Sequence, residues 1–236
     1  MAKRAFSVLK VELKKRLRNR SDIDDRLDAW TNDAYIDLAT GKATVNGAQL
    51  QFFHRELFRL VKITLTAQTI AGPPYSLVPL PLYTTTGDPY DFQYELFIWN
   101  KTKNVPLRKK DVTILNSGTR LLSDAATRYA IYGGVLDVDP TPNVTTEFRM
   151  FYYGRPPRLS AASDTVVLDE SWEELVLLGG VYRGYDALLE PERARAHQLV
   201  YDAQLSRRVN LDFQASRFND QNVTGLKLAN YGMVVR

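Results

Sequence analysis

The chain has 236 residues, 44% of them apolar and 25% charged, which allows one substantial core or two small ones and excludes wholesale disorder. It contains no cysteine, so disulfides, thiolate metal sites and cysteine nucleophiles are excluded together. A formal net charge of +4 is modest for this size, no apolar run approaches the roughly 18 residues of a membrane span, and the first residues mix charge with Leu and Val, so the chain reads as soluble and unprocessed.

From Ala5 to Arg18, Phe6, Leu9, Leu13 and Leu17 recur at helical spacing while Lys3, Lys10, Lys14 and Arg18 collect on another face, which predicts a basic amphipathic helix. Ser21 and Asp24 resemble a capping box with Asp in the Glu position. The following stripe of Ile23, Leu27, Trp30, Ala34 and Leu38 up to Gly41 predicts a second helix. The period then changes. Residues 57–66 are rich in Leu, Val, Ile, Phe and Thr without helical spacing and read as a strand. Pro73, Pro74, Pro79 and Pro81 restrict their segment to short or edge strands, because proline lacks the ladder donor. Residues 90–99, 128–138 and 144–153 are the next strand candidates. The last two flank the turn formers Asp139-Pro140-Thr141-Pro142-Asn143 and are expected to pair antiparallel. The strand from Val144 carries aromatics on both faces, as a sandwich strand does.

Helical spacing returns after Pro157, with Asp169 as N-cap and Trp172, Leu175, Val176, Gly179, Tyr182, Asp186 and Leu189 along one side. Pro191 can open a further helix to about Arg208, carrying Ala196, Leu199, Val200 and Ala203. Beyond Asn210 the periodicity fades. This order predicts an α+β protein: a bundle of N-terminal helices (1–45) and C-terminal helices (161–208), an inserted β-sandwich-like module (46–160) and an extended tail (209–236).

Three stretches carry a family resemblance: Tyr-Ala-Ile-Tyr-Gly-Gly-Val-Leu-Asp-Val-Asp-Pro-Thr-Pro from Tyr129, Phe-Tyr-Tyr-Gly-Arg-Pro-Pro-Arg-Leu from Phe151, and Val-Leu-Asp-Glu-Ser-Trp-Glu-Glu-Leu from Val167. With Asp28-Ala29-Trp30-Thr31-Asn32-Asp33-Ala34-Tyr35, they resemble the head-to-tail adaptor family of tailed bacteriophages. The resemblance implies a helical bundle bearing a β-sandwich, assembled as a homo-oligomeric ring, typically a dodecamer. It docks on the portal protein, receives a tail or tail-completion protein and extends the channel through which genomic DNA passes without sequence-specific binding. The implied location is the virion neck, reached from the host cytoplasm during assembly, with no membrane and no cofactor. A tail-tube or stopper component, and a basic nucleic-acid-binding module, are the alternatives.

Catalysis has little raw material here. His54, in an expected loop, and His197, on an exposed-looking helix, are the only histidines and read as polar surface residues without metal-ligand spacing. Asp22, Asp24 and Asp25 lack the glycine and closing glutamate of a calcium loop and read as a solvated helix start. Gly133-Gly134 lies in a strand pattern with no following helix and reads as a bulge or close backbone approach rather than a phosphate cradle. No catalytic or metal residue is therefore assigned.

Two segments are candidates for contact. The first is the basic face of Lys3, Lys10, Lys14, Lys15 and Arg18, near Arg4, Arg16 and Arg20 and opposed locally by Glu12 alone. It suits phosphates, an acidic neighbouring subunit or plain solvation. The second is the tail, where Phe213, Phe218, Leu226, Leu228, Tyr231, Met233 and Val234 are too many apolar residues for a free terminus. They suit an arm on a partner or a cover for the protein's own sheet edge.

Overall fold

A computed structural model describes residues 3–45, 48–51, 54–73, 76–80, 91–117 and 119–220. It divides into two compact units, Met1–Glu56 with Arg158–Arg236, and Leu57–Pro157. The fold is α+β.

In the first unit, α1 (Phe6–Arg16) buries Phe6, Leu9, Leu13 and the following Leu17, the stripe set by their spacing. No side chain caps its start. Instead the Phe6 and Ser7 amides donate to the Asp164 and Ala162 carbonyls at 2.6 and 3.1 Å, which satisfies two of the donors every helix start leaves orphaned. Arg18 and Asn19 then turn left-handed, with φ of 65° and 55°, and the Asn19 amide closes on the Lys14 carbonyl at 2.9 Å. Helix α2 is Leu27–Ala39. The capping box expected at Ser21 does not form: no side chain caps α2, and the Asp24 carboxylate goes to Lys14 at 2.6 Å. Asp is one methylene shorter than the Glu such a box uses, and the ammonium takes it. After α2, β1 (Lys42–Val45) and β2 (Ala48–Gln51) form an antiparallel hairpin.

The second unit holds β3 (Phe58–Leu65), β4 (Leu77–Pro79), β5 (Asp91–Asn100), β6 (Val105–Pro106), β7 (Arg108–Lys109), the short helix α3 (Val112–Asn116), β8 (Leu122–Ser123), β9 (Arg128–Tyr132), β10 (Val135–Asp139), β11 (Thr141–Pro142) and β12 (Thr146–Arg155). Two four-stranded sheets run in the orders β3-β12-β5-β6 and β4-β10-β9-β7, and β8 and β11 form a small parallel pair. Ile63, Ile98, Phe148, Met150 and Tyr152 of the first sheet share one core with Val78, Tyr129, Leu136 and Val138 of the second, which makes the unit a β-sandwich. Along β12 buried residues alternate with partly exposed ones. Its inner face is Thr146, Phe148, Met150 and Tyr152, and its outer aromatics are Phe151 and Tyr153.

The expected pairing of 128–138 with 144–153 is wrong. Residues 128–139 are themselves a hairpin, β9 against β10, while β12 lies in the other sheet between β3 and β5. Gly133 and Gly134 are neither bulge nor close approach. Their φ values of 55° and 78° supply the paired left-handed residues of a tight two-residue turn, whose twist matches the strands it joins. In the described part of the proline-rich segment, β4, ending at Pro79, is three residues long and lies at an edge, as its chemistry requires; Pro74 and Pro81 lie outside the described residues.

The chain returns to the first unit through α4 (Glu173–Ala187) and α5 (Pro191–Asp220). Asp169 accepts from the Ser171 amide at 3.0 Å, capping the 3-10 turn that leads into α4. Helix α4 is buried nearly all round, at Leu175, Val176, Leu177, Leu178, Val181 and Tyr185. Its glycines let neighbours approach closely: a Cβ on Gly179 would stand 2.9 Å from Ala34 Cβ, and one on Gly184 2.8 Å from Leu17 Cδ1. Asp186, in the last turn of the helix, and Leu189, both placed on its inner side by the sequence pattern, are exposed; Leu189 falls beyond the helix, which ends at Ala187.

Pro191 opens α5 as expected, but the helix continues past Arg208 to Asp220. Its buried stripe is Ala194, Tyr201, Leu205 and Val209, and the sequence-predicted Ala196, Leu199, Val200 and Ala203 are exposed. The helix has two apolar faces, and the face that can rest aromatic rings on α4 is the one buried. Tyr201 packs on Tyr182 and His197 stacks on Tyr185, with ring centroids 5.4 and 5.1 Å apart.

Candidate interaction surfaces

Three of the five cations singled out on the amino-terminal face are engaged within the chain. Lys3 donates to the Val167 carbonyl at 2.7 Å, Lys10 pairs with Asp28 at 2.8 Å, and Lys14 with Asp24 at 2.6 Å. Their neighbours are engaged too. Arg4 reaches Glu173 at 3.6 Å, Arg16 meets Glu174 at 2.6 Å, and Arg20 bridges Asp22 at 2.7 Å and Glu190 at 3.2 Å. Lys15 and Arg18 are exposed and make no ion pair among the described residues. In sequence the face stood against Glu12 alone; folding supplies Glu173, Glu174 and Glu190 from more than 150 residues away. Such part-exposed pairs add little stability, but they cancel most of the field a phosphate would feel.

Neither histidine is the surface residue expected. His54 is 3% exposed, its Nε2 lies 2.8 Å from the Leu38 carbonyl oxygen, and its ring stands edge-on to Trp172 with centroids 4.4 Å apart. A carbonyl only accepts, so Nε2 carries the proton. Burial holds this imidazole below its ordinary pKa, against the upward pull of the Leu38 contact and of Glu56. Loss of water therefore outweighs the nearby carboxylate in setting its charge. His197 is half-buried against Tyr185. Asp22 and Asp24 hold Arg20 and Lys14 and Asp25 is exposed. Among the described residues, no three His, Cys, Asp or Glu side chains gather as a metal site.

The densest polar cluster lies in the β-sandwich. The Asp137 carboxylate is fully buried and receives both Arg120 guanidinium nitrogens at 2.7 and 2.6 Å, the Ser76 hydroxyl at 2.7 Å and the Tyr132 hydroxyl at 3.2 Å. Arg120 also donates to Asn116 at 2.6 Å. Burial pushes Asp137 up, and the Arg120 and Ser76 hydrogen bonds outweigh it, so the carboxyl sits below its usual range. With its lone pairs occupied by the protein's own donors, the cluster fastens β10 to α3 and the loop before β4. It is a structural fastening rather than a reactive site.

Two apolar surfaces escaped the sequence reading. On the outer face of β3, β12 and β5, Phe151 stacks on Phe97 with centroids 4.3 Å apart and Phe58 lies 5.8 Å from Phe151, with Phe58 and Leu60 over 40% exposed. On α5, Leu199, Val200 and Leu211 are exposed by 45% or more. Alternation and helical spacing were visible in both segments; which of two apolar faces would be left outside was not. Phe213 and Phe218, assigned to the tail, lie within α5. Leu226, Leu228, Tyr231, Met233 and Val234 lie outside the described residues.

No curated protein matches the chain. The family model described as SU10 adaptor protein matches residues 5–224, a span that takes in both units, their connections and all four stretches that carry the resemblance. The chain therefore belongs to the SU10 adaptor protein family, a phage head–tail adaptor family.

Proposed function

We propose that the protein is a structural part of the virion neck: copies form a ring on the portal, extend the DNA channel and present the surface to which the tail attaches, with no chemical step. The observation that carries this reading is the family match over 5–224. Two further features support it. The helical unit has a tightly packed centre yet leaves Val8, Val11, Leu199, Val200 and Leu211 exposed, apolar surface of the kind that subunit contacts cover. The sandwich likewise carries an outer aromatic face suited to a protein partner. In a closed ring each contact is repeated by symmetry, so modest patches suffice for assembly. The ring is a dodecamer, assembled in the host cytoplasm, and the apolar residues from Phe213 to Val234 contact the portal or a neighbouring copy.

The test is reconstitution. The purified chain is mixed with portal rings of its own phage and the mixture is imaged by negative-stain electron microscopy. A second ring stacked coaxially on the portal is the expected result. Portal rings that stay bare at saturating concentrations of the chain would refute portal docking.

A further inference from the structure

One edge of the sandwich carries a concentration of positive charge that the fold neutralises only in part. Residues 101–110 contain five cations, Lys101, Lys103, Arg108, Lys109 and Lys110, and no acidic residue. Lys101 and Lys103 lie in the turn after β5, Arg108 and Lys109 in β7 and Lys110 just past it, with β6 between; β6 and β7 are end strands of the two sheets and are joined by Leu107 alone. The cations therefore line one side of the sandwich. Glu95 takes Lys109 and Asp124 takes Lys103. Lys101, Arg108 and Lys110 are exposed and make no ion pair among the described residues. This contrasts with the amino-terminal face, where acids near and distant in sequence pair five of the eight cations.

The strand register adds an independent observation. Arg108 of β7 stands directly beside Arg128 of β9, and like charges in register oppose pairing. Asp139 bridges Arg128 and leaves Arg108 without a counter-charge among the described residues. Between the cations Thr102, Asn104 and Pro106 are exposed, Val105 is partly buried and Leu107 points into the core. A protein interface needs an apolar or aromatic centre, and single-stranded bases stack on open rings; among the described residues the ring beside β6, Trp99, is partly buried and donates its Nε1 proton to Asn104 at 3.3 Å.

We infer that this edge, centred on Lys101, Arg108 and Lys110, contacts the phosphate backbone of duplex DNA without reading sequence. Arg108 and Lys110 lie two residues apart on an extended chain, about 6.6 Å. Duplex DNA carries one negative charge per ~1.7 Å of its axis, so such a row meets phosphates in any register. Point charges held this way give weak, mobile contact, which suits a duplex that must slide past. The choice of duplex DNA as the polyanion rests on the adaptor reading. The two are separable, because portal attachment is scored by ring stacking and DNA contact by solution binding.

The test is fluorescence anisotropy of labelled duplexes of two unrelated sequences, titrated with the full-length protein over a series of salt concentrations. The wild type is expected to bind both alike, with affinity falling steeply as salt rises. The triple variant K101Q/R108Q/K110Q should bind on the order of tenfold or more weaker at low salt. Its log–log salt slope should be smaller by about 2.7, at about 0.9 for each phosphate no longer neutralised. The control K15Q/R18Q should match wild type. Should the triple variant not keep the wild-type circular dichroism spectrum, the single Lys110→Gln variant serves, with a slope smaller by about 0.9. An unchanged slope in the folded edge variants, loss of binding in the control instead, or no duplex binding by the wild type at low salt would overturn the inference. Capture of poly-glutamate in preference to duplex would also overturn it, making the edge a dock for an acidic protein.

Discussion

Asp137 and Arg120 show how one buried contact sets the stability of a whole unit. The carboxylate is fully buried and the guanidinium almost so, so removing one partner leaves the other charged and unpaired. Asp137→Ala should cost about 3–5 kcal/mol, read from the midpoint of urea unfolding; a loss below about 1 kcal/mol would mean the pair is solvated. The sign of the pH dependence comes from the lowered pKa in the folded state. The carboxylate's contribution is complete above its unfolded value of about 3.9 and is lost as pH falls through the lower folded value. The gap between wild type and Asp137→Asn should therefore narrow on acidification below about pH 4. His54 is also held below its unfolded value, of about 6.5. As pH falls from neutrality the unfolded chain takes up that proton first, so the fold loses stability below about pH 6.5. His54→Gln should lose less over the same interval, and an equal loss would rule out a neutral buried ring. Neither residue was legible in the sequence. Asp137 looked like any strand polar residue and Arg120 lies 17 residues from it, while His54 is buried by Trp172, which no local pattern connects to it.

Among the elements, those fixed by local spacing were legible and those fixed by pairing were not. Helix α1 announced itself through four apolar residues, and α4 through Asp169 and its stripe. The hairpin of β9 and β10 was hidden because Val135 and Leu136 continue an apolar run across Gly133-Gly134, and the run read as one strand. Only the left-handed φ at both glycines breaks it. Gly134→Ala places an L side chain at φ 78° with open space around it, so its cost is backbone strain alone, about 1–2 kcal/mol, measurable as a lower urea midpoint. Helix packing gives a contrasting case. Alanine at Gly179 gains about 1 kcal/mol of helix propensity but puts a methyl 2.9 Å from Ala34 Cβ, which cannot rotate away; overpacking of this kind costs about 1–3 kcal/mol. Gly179→Ala should therefore lower the thermal midpoint. A raised midpoint would mean that α2 and α4 separate at little cost. In α5 the spacing showed a helix with two apolar faces, and only Tyr182 and Tyr185 on α4 decided which face it buries.

For the molecule as a whole, the fold class could be read from the order of periods, helical, then extended, then helical again, and the family from short stretches scattered through that order. The amino-terminal face could not be judged from sequence, since three of its counter-charges, Glu173, Glu174 and Glu190, arrive from α4 and the turn after it. Truncation after Asp220 tests the proposed role of the last residues: the shortened chain should keep its urea midpoint and fail to stack on portal rings, and a truncated chain that unfolds would assign those residues to the protein's own core. That the chain joins head to tail is tested most directly by negative-stain imaging of lysates in which its gene is interrupted, beside wild type. DNA-filled or leaking heads and separate tails are expected in the mutant lysate; normally joined virions would contradict the adaptor role.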